Sequence, residues 1–275
     1  MIQKKIKQFI YKRFEIENLI NKSIEDSFKS QGYTGIGIIQ ESDIFIAGYP
    51  KSGNTWMQGI VGGLLLDSTS ELLTTKLLSE VVPDVHAKKY YKRFFKSMVF
   101  KTHDLPKPEY KKVIHLVRDG RDVMVSYYNM GKNKSLEFPF SLKDMVIDGK
   151  GLYPSKWYQH SKEWIDNPFK AEIMLLKYED LHEFPLREMR RISKFIGLEL
   201  PDSRLMAIYD NNGIENVRSR VAKYGMDNDY TWKNKPITSF FRKGQVGNFK
   251  DEMSIELINY FNSEAKDELE YFKYL

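Results

Sequence analysis

The chain has 275 residues, 41% of them hydrophobic and 29% charged, a formal net charge of +6 and no cysteine. It is long enough to bury one large core, and it excludes a disulfide, a thiolate nucleophile and a cysteine-based zinc site. The positive balance fits either simple solubility or an anionic ligand or surface, and the lack of cysteine points to a reducing compartment, the cytoplasm.

In chain order, the first segment, "MIQKKIKQFIYKRF", puts Ile2, Ile6, Phe9, Ile10 and Phe14 on one helical face with lysines and Arg13 largely elsewhere. Such a helix either docks on the protein body or lies on an anionic membrane, so peripheral membrane contact through residues 1–20 stays open. No apolar stretch approaches the ~20 residues that span a bilayer. "DIFIAGY" (43–49) reads as a buried strand and "GNTWMQGIVGGLLL" as the helix after it. "SMVFKTH" (97–103), "KVIHLV" (112–117) and "EIMLLKY" (172–178) read as three more strands. Helical patterns fall at 119–130, at 154–166 with Trp157 and Trp164 seven apart, at 185–198 ending on Gly197, and within 252–272. No linker or internal repeat interrupts them, so residues 1–275 read as one domain, with 1–30 as a basic N-terminal helical segment. Strands alternating with helices predict an α/β fold: a central parallel sheet with helices on both faces.

Ligands of such sheets sit beyond the carboxyl ends of the strands. Those ends carry Lys51 and Ser52, Lys101 and His103, Arg118, and Tyr178 with Glu179. Against the phosphate-loop pattern G-x-x-x-x-G-K-[ST], the first turn matches at Gly48, Gly53 and Thr55, but has Asn54 in the lysine slot and Lys51 inside the loop. Its glycines permit a sharp turn, and the amides of 52–56 point at an anion on the helix N-terminus. Trp56 either stacks on a base or packs beneath the sheet. His103 is an ordinary surface histidine or, beside Lys101 and Lys51, a proton acceptor. His115, inside a strand, reads as structural, and His86, His160 and His182 show no metal-ligand spacing. Arg118 with Ser126 either clamps a second phosphate or belongs to a capping network, and Arg121 with Asp122 reads as a helix-start charge pair. "SFFRKGQVGNFK" (239–250) reads as a basic turn or as an anion clamp through Arg242, Lys243 and the Gly244 amide.

Together these segments resemble the cytosolic-type sulfotransferases that use 3′-phosphoadenosine 5′-phosphosulfate (PAPS). "YPKSGNTW" is similar to the loop for the donor's 5′-phosphosulfate, "RDGRDVMVSYY" to the 3′-phosphate segment, "FRKGQVGNFK" to the RKGxxGDWK motif and "FKTH" to the strand with the catalytic histidine. "WYQHSKEW" and "LLKYEDL" resemble further family segments, so the likeness runs from about residue 35 to 270. It implies a P-loop NTPase-like three-layer sandwich and transfer of a sulfonate from PAPS to a hydroxyl or amine, without a metal. Lys51, Ser52, Gly53, Asn54, Thr55 and Trp56 would hold the 5′-phosphosulfate and adenine. Arg118, Ser126, Arg242, Lys243 and Gly244 would hold the 3′-phosphate, and Tyr178 would bond near the adenine. His103 would be the base, with Lys51 and Lys101 stabilising the moving sulfonate, which carries less charge than a phosphoryl group and needs no Mg²⁺.

Three departures stand out. Asn248 and Phe249 replace the usual Asp and Trp, Asn212 and Ile214 replace a hydroxyl residue and Phe, and Asn259 replaces the acid ending the dimerisation signature KxxxTVxxxE. Monomer and dimer both stay open. A phosphate-transferring P-loop enzyme would need a lysine after Gly53 and a magnesium-binding acid, and a non-catalytic nucleotide binder would not need His103. Nothing points to nucleic acid. The acceptor, whether phenol, steroid, lipid or glycan, is assigned to loops 80–96, 131–153 and 220–240, whose aromatics include Tyr90, Tyr91, Phe94, Phe138, Phe140 and Tyr153.

Overall fold

The computed structural model describes residues 22–134, 138–225 and 244–275. The amphipathic segment at 1–20, Arg242 and Lys243 lie outside the described residues. Residues 22–30 form helix α1. The strands are β1 (Tyr33–Gly35), β2 (Ile44–Gly48), β3 (Tyr90–Lys92), β4 (Val99–Thr102), β5 (Lys112–Val117) and β6 (Glu172–Lys177). The remaining α-helices are α2 (Asn54–Leu65), α3 (Thr75–Val81), α4 (Gly120–Lys134), α5 (Trp157–Asp166), α6 (Tyr178–Glu183), α7 (Pro185–Phe195), α8 (Asp202–Asn211), α9 (Ile214–Tyr224), α10 (Phe249–Glu252), α11 (Ile255–Glu264) and α12 (Lys266–Tyr271), with a short π-helix at Asp144–Asp148.

The four strands read from the sequence form one parallel sheet in the order β4-β2-β5-β6. Every residue of β2 is buried, as a strand covered on both faces requires. Ile44, Ile46, Ile114 and Leu116 pack on one face against Met57 and Ile60 of α2, Ile192 of α7 and Ile208 of α8. Phe45 and Val113 turn the other way toward Trp164 of α5, and Val117 toward Val123 of α4 and Phe261 of α11. Each such aliphatic contributes ~1.5–3 kcal/mol of burial. The result is the expected three-layer α/β arrangement.

Other elements depart from the sequence reading. β1 and β3, three residues each, make a separate antiparallel pair too short for any periodicity. The single helix expected within 252–272 is two, because Ala265, fully buried with φ −107°, leaves the helical region between α11 and α12. No helix among the described residues is long and apolar enough to cross a membrane.

Candidate active site

The turn after β2 is built around two unusual backbone positions. Lys51 has φ +75° and Gly53 has φ +103°. A Cβ at Gly53 would sit 2.7 Å from the Tyr178 ring, so glycine is required both for the turn and for the approach of that ring. Helix α2 then starts with no side-chain cap on its first amides, which leaves them for an anion. Ser52 Oγ, Asn54 Oδ1 and Arg118 Nε are buried with no hydrogen-bond partner. Buried polar atoms rarely go unpaired in a finished fold; the two donors among them, the Ser52 hydroxyl and Arg118 Nε–H, suit an oxygen-rich anion, whereas Asn54 Oδ1, an acceptor, does not.

Register explains the histidine. Ala47 pairs with Thr102 across β2 and β4, so the next positions, Gly48 and His103, face each other where the ladder ends. There a side chain takes over: His103 Nδ1 donates to the Gly48 carbonyl at 2.7 Å. A carbonyl only accepts, so the ring proton is on Nδ1 and Nε2 keeps a free lone pair. Burial, helped by the Lys101 charge, lowers the His103 pKa to about 4, and the ring is neutral at pH 7. Lys101 ends in an ion pair with Asp84 at 2.8 Å. Burial would raise the Asp84 carboxyl, but the Lys101 ammonium and the His86 amide together hold it below the usual range.

On the far side of the loop, the Arg118 guanidinium lies 4.5 Å over the Tyr178 ring and donates to the Gln245 carbonyl at 2.8 Å. Tyr178 hydroxyl donates to the Gly244 carbonyl at 3.1 Å. Asp122 accepts from the amides of Gly247 and Phe249 at 2.7 and 2.9 Å, with Arg118 3.5 Å away. This network fixes the 244–249 turn beside α4. Trp56 stacks on His182 at 4.6 Å and meets Tyr178 edge-on at 5.4 Å. A single cleft of about 740 Å³ joins these parts, with Lys51, His103, Arg118, Ser126, Tyr178 and Gly244 all on its wall. Among the described residues no three His, Asp or Glu side chains gather into a metal-holding group.

The sulfotransferase domain family matches residues 41–273. The chain belongs to the sulfotransferase family. Mouse sulfotransferase 1A1 is 29% identical over 240 residues, covering 80% of this chain and 82% of the relative. Dog sulfotransferase 1B1 is 30% identical over 247 residues, covering 82% and 83%. Among solved structures, mouse sulfotransferase SULT7A1 complexed with PAP superposes with a TM-score of 0.63 at 18% identity, over 84% of this chain and 85% of that one. Retinol dehydratase in complex with androsterone and inactive cofactor PAP gives 0.62 at 20% identity, over 84% and 82%. This sulfotransferase is therefore a PAPS-dependent enzyme, and the uncapped helix start and the unpaired Ser52 and Arg118 donors fit an anionic group such as the donor carries.

The structure lines one cleft with the described residues that the sequence nominated, except Ser52, which is buried beneath the turn, and it corrects several neighbours. Arg121 and Asp122 are not a pair: Arg121 binds Asp119 at 2.7 Å, and Asp122 faces Arg118 and the 244–249 turn. Residues 226–240 of the third acceptor loop lie outside the described residues; most of the described loop aromatics are structural. Tyr91 is core, Tyr90 stacks on Phe28, and Phe138 meets Phe140 edge-on; of the six, only Tyr153 reaches the cleft, joined there by Tyr127 and Met130. Asp84, His86, Asp122 and His182 were missed. The short run "PDVH" after α3 was the one available signal for the first two.

Proposed function

We propose that this sulfotransferase moves the sulfonate of PAPS to the hydroxyl of a flat, largely apolar acceptor, with His103 as general base and residues 1–275 acting as one domain. The observation that carries the reading is the His103 tautomer: with Nδ1–H committed to Gly48, Nε2 is the atom left to take a proton. His103 takes the acceptor's proton as its oxygen bonds to sulfur and the bond from sulfur to the departing nucleotide breaks. Lys51, and Lys101 drawn from Asp84, stabilise the charge that shifts onto the leaving oxygen. Preset donors of this kind supply the largest share of the rate, and proton transfer supplies ~10²–10⁴-fold. The loop from Lys51 to Thr55 holds the 5′-phosphosulfate, with Trp56 against the adenine. Arg118, Ser126 and Gly244, with Arg242 and Lys243, hold the 3′-phosphate. Tyr127, Met130, Tyr153 and Pro50 on the cleft wall support an aromatic or steroid-like acceptor.

The test is transfer of radiolabelled sulfonate from PAPS to a panel of phenols, steroids, lipids and glycans in excess EDTA. Labelled phenol or steroid sulfate is expected; dependence on added Mg²⁺ would return the chain to phosphoryl transfer. The 3′-phosphate assignment has its own check. Charge-assisted hydrogen bonds contribute ~1.5–3 kcal/mol each, so calorimetry should find PAP bound at least about a hundredfold more tightly than AMP. Equal affinities would remove Arg118 and Ser126 from that role.

A further inference from the structure

We infer that His86 is a positioning residue for the base, a role resting on the reading of His103 above. β4 is an edge strand of the sheet, with β2 on one side only. Its open edge is met by one short segment, Val82 to His86. Lys101 N–H donates to the Pro83 carbonyl at 2.8 Å and Val85 N–H to the Lys101 carbonyl at 3.0 Å. Gln58, on α2 just behind the phosphate loop, donates to the Val82 carbonyl at 2.6 Å and ties the segment down. Asp84 then reaches two ways: one carboxylate oxygen takes the Lys101 ammonium at 2.8 Å and the other accepts the His86 amide at 2.9 Å.

That anchoring sets the His86 ring beside the base. The His103 backbone N–H lies past the end of β4, where no strand supplies an acceptor, and it donates to His86 Nε2 at 3.0 Å. The two imidazoles lie nearly parallel, 11° apart with centroids at 5.6 Å. His103 is thus held twice, by its amide to His86 and by its ring to Gly48, and the lone pair on Nε2 is aimed as a consequence. The groups facing His86 are Thr102 Oγ1 at 3.4 Å, Asp104 Oδ1 at 3.8 Å and the Tyr153 ring edge-on at 5.7 Å. The His103 amide bonds to Nε2 and to none of these. A misplaced general base costs rate without disturbing donor binding.

Three variants of the full-length enzyme test this by kcat and by calorimetric PAP affinity. His86→Phe keeps a ring for stacking but has no acceptor; kcat should fall roughly ten- to a hundredfold with PAP affinity unchanged. His86→Gln offers a side-chain oxygen in place of Nε2 and should recover most of the parent kcat. Parent-level kcat in His86→Phe would overturn the proposal. So would equal losses in Phe and Gln, or a loss of PAP binding in step with kcat, since either makes His86 a part of the scaffold. His103→Ala is the third: if it retains the parent rate, the base assignment itself has failed, whereas a dead His103→Ala beside an active His86→Phe sinks only the positioning role.

Discussion

His103→Ala should lose roughly two to four powers of ten in turnover and bind PAP as the parent does. The loss corresponds to ~3–5 kcal/mol of transition-state stabilisation. It falls on kcat because, in the function proposed above, the histidine stands at the acceptor side and the phosphates are met by the loop after β2 and by Arg118. Circular dichroism guards against the trivial outcome of an unfolded variant. Transfer at the parent rate would place the base elsewhere. The pH dependence follows with a definite sign. Burial lowers the His103 pKa from 6.5 to about 4, so the imidazole is unprotonated throughout the neutral range, and the proton transfer proposed for it should fail only as pH drops through about 4. The same depression acts on stability. The unfolded chain binds this proton more readily than the folded one, so the contribution is complete above 6.5 and is lost as pH falls toward 4. Buried His115 and His160, each lowered to about 3 chiefly by desolvation, act in the same direction over a window reaching lower still. The urea midpoint of the parent should therefore slide downward from pH 6.5 toward acid, and somewhat less in His103→Ala.

Asp122→Ala should be the most destabilising single change around the donor site. The carboxylate is 1% exposed and accepts two backbone amides from the 244–249 turn. Removing it leaves both donors without a partner, at ~1–3 kcal/mol each, and takes away the carboxylate beside Arg118. A chain of this size loses about 2–4 °C in Tm per kcal/mol, so a drop of roughly 5–15 °C is expected. Hydrogen exchange gives the local reading: the amides of Gly247 and Phe249 should exchange far faster in Asp122→Ala and at an intermediate rate in Asp122→Asn, which retains one oxygen. Unchanged protection at those two amides would show that the turn is held by something other than Asp122.

The strands and the phosphate loop were legible in the sequence because each carries a local signal: an apolar run of the right length, or glycines at a fixed spacing before an amphipathic helix. Lys51, Lys101, His103, Arg118 and Tyr178 were legible for a second reason, since a parallel sheet gathers whatever follows its strands along one edge. Asp122 was misread because Arg121 is its neighbour in sequence. Adjacent residues on a helix do not face each other, whereas positions four apart do, and Asp122 accordingly meets Arg118, four residues back. Asp84 and His86 follow no strand. Their segment touches β4 through a single bridging residue pair, Asp84 with Lys101, and no periodicity announces one pair. The loop aromatics were over-assigned to the acceptor because composition cannot tell a ring that fills the core, such as Tyr91, from one that lines a cleft, such as Tyr153.

Gly48 ties two halves of the enzyme into one inherited unit. Its carbonyl fixes the proton of His103, and a Cβ on it would meet Asn54 Oδ1 at 2.5 Å and the Leu116 carbonyl at 2.8 Å. Substitutions that reshape the phosphate loop therefore also re-aim the proton acceptor, and effects at the two should be strongly non-additive. Tyr127, Met130 and Tyr153 come from α4 and the loop before α5, and none of them bonds to Gly48. A lineage, or a directed library, can explore new acceptors at Met130 with little consequence for the donor or the base, whereas Tyr153, edge-on against His86, is tied to the base and must change with it.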